Sequence, residues 1–220
     1  MEMLFDYLLH VDRHLAGFVT AFGPWIYALL FLIVFAETGL IVTPFLPGDS
    51  LLFAGGALAA AGLLDLPLLV LLLTAAAILG DAVNYAIGRA VGPRVCGTGG
   101  AGGPSPMLNR AHLERAHLFF ERYGGKAIVL GRFVPIVRTF VPFVAGAVSM
   151  TYSRFCAYNV AGGIIWVTTC AGAGYAFGHM PLVKDSFSLV AIGIVVVSLL
   201  PIVLELVRSG RAARPVPAED

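Results

Sequence analysis

The sequence predicts an all-α integral membrane protein: about four transmembrane helices, two oppositely oriented re-entrant helical hairpins forming an inverted repeat, and an N-terminal amphipathic helix. Three observations predict it. Of 220 residues, 59% are hydrophobic and 12% charged, about half the charged share of a soluble chain, and the mean hydropathy is +0.90. The apolar residues form long runs, with much of the charge gathered in short segments between them. Two of these runs contain prolines and ionisable residues, which suit a lipid-facing helix badly.

In chain order, residues 1–20 come first. Leu4, Leu8, Val11, Leu15 and Phe18 recur at helical spacing, with Glu2, Asp6, His10, Arg13 and His14 opposite them. This is an amphipathic helix, read as lying in the membrane interface, with a packed bundle helix as the alternative. Glu2 and Asp6 stand where a signal peptide carries basic residues. The transmembrane domain is placed at 21–207. Four stretches, about 24–42, 66–90, 155–178 and 187–207, approach or exceed the ~20 residues that a crossing needs. Residues 44–62 hold Pro44, Pro47 and Asp49, and residues 126–150 hold Arg132, Pro135, Arg138 and Pro142. Broken backbone at membrane depth survives only against protein or a wet cavity, so both stretches are read as re-entrant hairpins.

Six basic residues from Arg89 to Lys126, and Arg208, Arg211 and Arg214 in the tail at 208–220, place both segments in the cytoplasm. With four crossings the N-terminus lies there too, and the hairpins enter from opposite sides. Between the halves, the Gly-rich tract 97–106 precedes a helix expected from Pro106 to Tyr123, with Ser105 as N-cap and Gly124 as stop.

Charges inside apolar segments carry the functional signal, because one at a helix centre costs about 2.5–3.5 kcal/mol even on a mild scale. Glu37, Asp49, Asp81, Arg89, Arg132 and Arg138 qualify. On an unbroken helix Arg132 and Arg138 would point roughly 240° apart; a break at Pro135 lets the guanidiniums converge as planar forks suited to phosphate. Arg132 and Arg138 are the substrate-binding candidates, and Glu37 and Asp49 the proton-coupling pair. The alternative is a buried salt-bridge cluster that only pins the hairpins. Asp81, Tyr85 and Arg89 share one helical face as accessory candidates, or Asp81 pairs with a snorkelling Arg89.

Other chemistry is not indicated. The three cysteines and five histidines show no metal-ligand spacing, so no metal or other cofactor is expected, and no nucleic-acid partner. Trp25, Trp166 and the tyrosines are read as interface or bundle packing. Without a His or Cys beside the arginines in sequence, a membrane lipid phosphatase is disfavoured, and no enzyme is expected.

FAETGLIVTPFLPGDSLLFAGGALA, LGDAVNYAIGRAVG and FFERYGGKAIVLGRFVPIVRTFVPFVAGAVSM resemble the DedA family of membrane proteins, also called the VTT or SNARE-associated Golgi protein family. The resemblance covers about residues 24–178. It implies a small bundle with two oppositely directed re-entrant hairpins in the bacterial inner membrane, and a role as a lipid transporter or flippase. It further implies proton coupling, undecaprenyl phosphate or a phospholipid such as phosphatidylethanolamine as cargo, and family roles for Glu37, Asp49, Arg132 and Arg138. A proton-coupled small-ion or metabolite transporter is the alternative. The sequence leaves a homo-oligomer open.

Overall fold

The computed structural model describes residues 23–40, 48–95 and 110–180. They form seven helices: α1 (Trp25–Gly39), α2 (Gly48–Ala60), α3 (Leu66–Val95), α4 (Arg110–Tyr123), α5 (Lys126–Gly131), α6 (Pro135–Ala147) and α7 (Tyr152–Gly178), with no strand among the described residues. The expected 1–20 helix, the 187–207 crossing, the tail, and Pro44, Pro47 and Ser105 lie outside the described residues.

Two helices are long and apolar enough to cross a membrane, Leu66–Gly92 within α3 and Tyr152–Gly178, each of 27 residues and so about 40 Å long. Leu71, Leu79 and Val83 on the first, and Ile164 and Ile165 on the second, stay exposed as lipid-facing side chains would. By contrast α1 and α2 have 15 and 13 residues, or about 20 Å each, short of the ~30 Å hydrocarbon layer.

The contacts give the helix directions. At one end the Asp65 N–H donates to the Tyr27 hydroxyl at 2.8 Å, and at the other Gly39 meets Gly80, halfway along α3. So α1 runs alongside α3 in the same sense, and the chain returns through α2 to Asp65. There the Asp65 carboxylate caps α3 by accepting the Leu68 N–H at 2.8 Å. The described part of 44–62 is one unbroken helix up to Ala60, so this fold-back is made by α1 and α2 together. The sequence predicts a crossing over 24–42 followed by a separate hairpin; the structure has two short helices that in series return to their starting end.

A second fold-back occupies 126–150. α5 follows α7, with Gly125 on the Tyr158 ring and Gly162 on Val129 and Arg132. The chain breaks over 132–134 and returns as α6 to Met150, whose carbonyl accepts from the Tyr85 hydroxyl. Pro135 opens α6 where no N–H is needed. Before it, α4 ends at Gly124, whose φ of 55° suits the expected stop.

Each return arm packs on the spanning helix of the other half. α2 lies along α7, with Gly174 on Phe53 and Gly178 on Ala57 and Ala60; α6 lies along α3, with Gly88 on Phe143 and Gly92 on Ala147. A Cβ at Gly174 would strike the Phe53 carbonyl, and one at Gly88 the Phe143 carbonyl. The sequences correspond at these places: FAGGAL from Phe53 with FVAGAV from Phe143, and IGRAVG from Ile87 with AGYAFG from Ala173. α3 and α7 run antiparallel, since Ile78 meets Asn159 and Gly163 while Tyr85 stacks on Phe155 with ring centroids 4.3 Å apart. The two halves therefore run in opposite senses. In lipid, burying an apolar side chain between helices gains little, so close backbone approach and interhelical hydrogen bonds of about 0.6 kcal/mol each hold such a bundle.

Candidate functional site

Reversal of the two fold-backs brings their bends to the middle of α3 and α7. Glu37 ends α1, Asp49 sits in the first turn of α2, Arg132 follows α5 and Arg138 lies in the first turns of α6. Asp81 and Trp166 stand near the midpoints of the spanning helices. The four charges singled out by the GRFVPIVR spacing and the acidic positions are thus brought together.

Arg138 serves both acids of the first fold-back. Its Nη1 donates to Asp49 Oδ1 at 2.9 Å, and its Nη2 donates to Glu37 Oε1. Glu37 is wholly buried, whereas the Asp49 side chain is 50% exposed, so the pair has an inner and an outer member. Glu37 reaches its place because Gly48 opens α2: a Cβ there would collide with the Glu37 carboxylate. Pro142, four residues on from Arg138, withholds the N–H that would pair with the Arg138 carbonyl.

Arg132 is held differently. Its Nη2 donates to Asp81 Oδ2 at 2.5 Å and to Asn159 Oδ1 at 2.6 Å, and both the Arg132 and Asp81 side chains are 4% exposed. Asn159 in turn donates to the Ile78 carbonyl at 3.0 Å. This arginine is clasped between the two spanning helices, and its carboxylate partner is Asp81. The other accessory candidates lie apart: Tyr85 bonds the Met150 carbonyl, and Arg89 is exposed. Three carboxylates face two guanidiniums, so the cluster carries a formal charge of −1 when all are ionised.

Four further residues enter the site. Trp166 has Arg132 Cζ 5.7 Å and Arg138 Cζ 5.5 Å from its ring centroid, and its indole Nε1 donates to Asp49 Oδ1 at 2.8 Å. Asn84, wholly buried, donates to the carbonyls of Thr38 at 3.2 Å and Thr139 at 2.7 Å, tying one fold-back to the other beside Glu37 and Arg138. Asn159 holds Arg132. Cys170, one turn on from Trp166, is within electrostatic reach of Asp49 and Arg138, so a thiol does stand near an arginine although none is near in sequence. Asparagines inside apolar runs were the available signal, because an amide in a spanning helix needs a buried partner.

Glu37, Thr38, Asp81, Arg132, Arg138, Thr139 and Trp166 line a small cavity with room for about one water molecule. Glu37 Oε2, Arg132 Nε and Arg138 Nε are buried without a hydrogen-bond partner among the described residues, which is unusual for buried polar atoms. Among the described residues no group of His, Cys, Asp and Glu could hold a metal ion.

A family model described as the VTT domain matches residues 46–176. The chain is 53% identical to Protein DedA of Escherichia coli (strain K12) over 212 residues, 96% of this chain and 95% of that protein. It is 40% identical over 201 residues to an uncharacterized membrane protein of Mycobacterium tuberculosis, covering 90% of this chain and 86% of that one. The inner membrane protein YghB of Escherichia coli (strain K12) is 36% identical over 179 residues, 81% of this chain and 77% of that protein. No solved structure matches the chain. A VTT-domain match over more than half the chain, 53% identity to Protein DedA over nearly the full length of both and two membrane-length helices lead to one conclusion: the chain belongs to the DedA family of membrane proteins.

Proposed function

We propose that this protein moves a phosphate-headed lipid between leaflets of a bacterial inner membrane, coupled to protons, as a transporter and not an enzyme. The two fold-backs are re-entrant hairpins entering from opposite faces, and the Arg-rich 89–126 segment and the C-terminal tail are cytoplasmic. The observation that carries the reading is the pair of buried arginines lining one cavity at the level of the midpoints of both spanning helices, each with an Nε unpartnered among the described residues. Polar groups at broken helices near the midplane are where transporters bind substrate, and a guanidinium fork matches phosphate oxygens.

Charge accounting links cargo to protons. The closed cluster holds −1, and a phosphate monoester brings −1.5 to about −2. Loading alone would leave about −3 in a low-dielectric site, whereas protonation of Glu37 and Asp49 returns the loaded site to about −1 and frees Arg138 for the phosphate. Two protons per dianionic phosphate is the resulting stoichiometry. Undecaprenyl phosphate fits as a phosphate monoester; phosphatidylethanolamine, a diester, would need fewer protons.

Reconstituted vesicles test this: leaflet exchange of a labelled lipid phosphate is followed with and without an imposed pH gradient. Exchange driven by the gradient and lost in Arg138→Ala supports the reading; gradient-independent exchange, or none, refutes it. The small cavity favours a second reading, a small-ion or metabolite transporter. Uptake of soluble phosphate by the same vesicles, without lipid exchange, would select it.

A further inference from the structure

We propose that Trp166 is the positioning residue of this site: its ring carries both guanidiniums, and its indole N–H holds Asp49 against Arg138 as a latch on the phosphate-binding arginine. The inference rests on the transport reading above and names a residue that the sequence alone assigns to interface or bundle packing. Three observations bear it. Both Cζ atoms lie within about 6 Å of the ring centroid, at 5.7 and 5.5 Å, the range of a cation–π contact. The indole N–H and Arg138 Nη1 meet on the same oxygen, Asp49 Oδ1, at 2.8 and 2.9 Å. Finally, Trp166 is 1% exposed while the Asp49 side chain is half exposed, so a fixed donor holds the one acid of the cluster that faces out.

An indole N–H cannot accept a proton, and it favours the ionised carboxylate. When Asp49 is protonated, it loses most of its hold on both donors and Arg138 Nη1 becomes available. Cation–π contact keeps the guanidinium in place meanwhile, since the ring neither titrates nor competes for phosphate. The groups that share this electrostatic neighbourhood are Glu37 from α1, Asp81 from α3, Arg132 after α5, Arg138 from α6 and Cys170 from α7; of these, Glu37 shares Arg138 with Asp49 and is the competing source of a pH response.

Two substitutions separate the parts. Trp166→Phe keeps a ring and removes the N–H, so gradient-driven lipid exchange should persist with its pH profile moved to higher pH. Trp166→Leu removes both and should also weaken half-saturation by the lipid about tenfold or more. A packing role predicts less folded protein with an unchanged profile in both, and that result overturns the proposal. A readout independent of transport uses Trp25→Phe protein, in which Trp166 is the remaining tryptophan. Its emission in detergent, titrated with acid and with inorganic phosphate, should respond to pH, keep that response in Glu37→Gln and lose it in Asp49→Asn. A pH response that survives Asp49→Asn, or no response at all, sinks the Trp166–Asp49 latch. Emission that follows Asp49 in a protein whose vesicles move no phosphate lipid keeps the latch and refutes the transport reading.

Discussion

The two arginines look alike in sequence, but their partners set them apart. Arg132, at the break between α5 and α6, and Asp81 on the spanning helix α3 form a buried pair, and breaking such a pair by removing one partner costs about 3–5 kcal/mol. Arg138 divides its charge between the buried Glu37 and the half-exposed Asp49, so it keeps a buried partner when Asp49 is neutralised. Asp81→Ala is therefore expected to lower the unfolding temperature in detergent strongly, and Asp49→Asn hardly at all, with both measured by thermal unfolding at one pH. Equal shifts would show that burial does not distinguish the pairs. Arg132→Ala belongs with Asp81→Ala, so folding must be checked before its loss of transport is read as loss of binding. Arg138→Lys should transport poorly, because an ammonium lacks the planar fork; full transport by Lys at both positions would mean that positive charge alone suffices.

At the scale of elements, glycine positions set how close the return arms come to the spanning helices. Gly88 and Gly174 each face a backbone carbonyl of the neighbouring helix, whereas Gly172 faces open space. Gly88→Ala and Gly174→Ala should each destabilise the protein by about 1–3 kcal/mol through forced separation. Gly172→Ala should be neutral, or stabilising by up to about 1 kcal/mol from helix propensity. Thermal unfolding of the three single variants checks this, and an equal effect at all three would assign the cost to the helix itself. Separation at Gly88 also moves α6, so Gly88→Ala should reduce transport through Arg138 even where folding survives.

At the scale of the molecule, the fold-back of α1 and α2 makes a topological prediction. Trp25 and Ala61 lie at the end of the bundle where α3 begins, and Thr151 lies at the end where Tyr85 meets Met150. Single cysteines at 25, 61 and 151, in a chain with Cys96, Cys156 and Cys170 replaced, should label with an impermeant reagent in two classes: 25 with 61, and 151 alone. Labelling of 25 from the side opposite to 61 would mean that α1 crosses the bilayer, which would part Glu37 from Arg138.

The sequence by itself determined the class of protein and the chemical cast of the site. Hydropathy required a membrane, and prolines beside Asp49, Arg132 and Arg138 marked where regular helix fails, because both are composition and spacing effects that need no partner. Tertiary structure decided who meets whom. That Asp81 pairs with Arg132 instead of Arg89, that Asn84 joins the fold-backs, and that Trp166 is shared by both arginines depend on α3 and α7 running antiparallel with the opposite half's return arm against each. The extent of the first fold-back was also hidden: 24–42 is apolar enough to read as a crossing, and only the meeting of Tyr27 with Asp65 shows that the chain comes back. Periodicity reports which residues share a face of one helix, whereas a site built from six helices is fixed by packing between segments far apart in sequence.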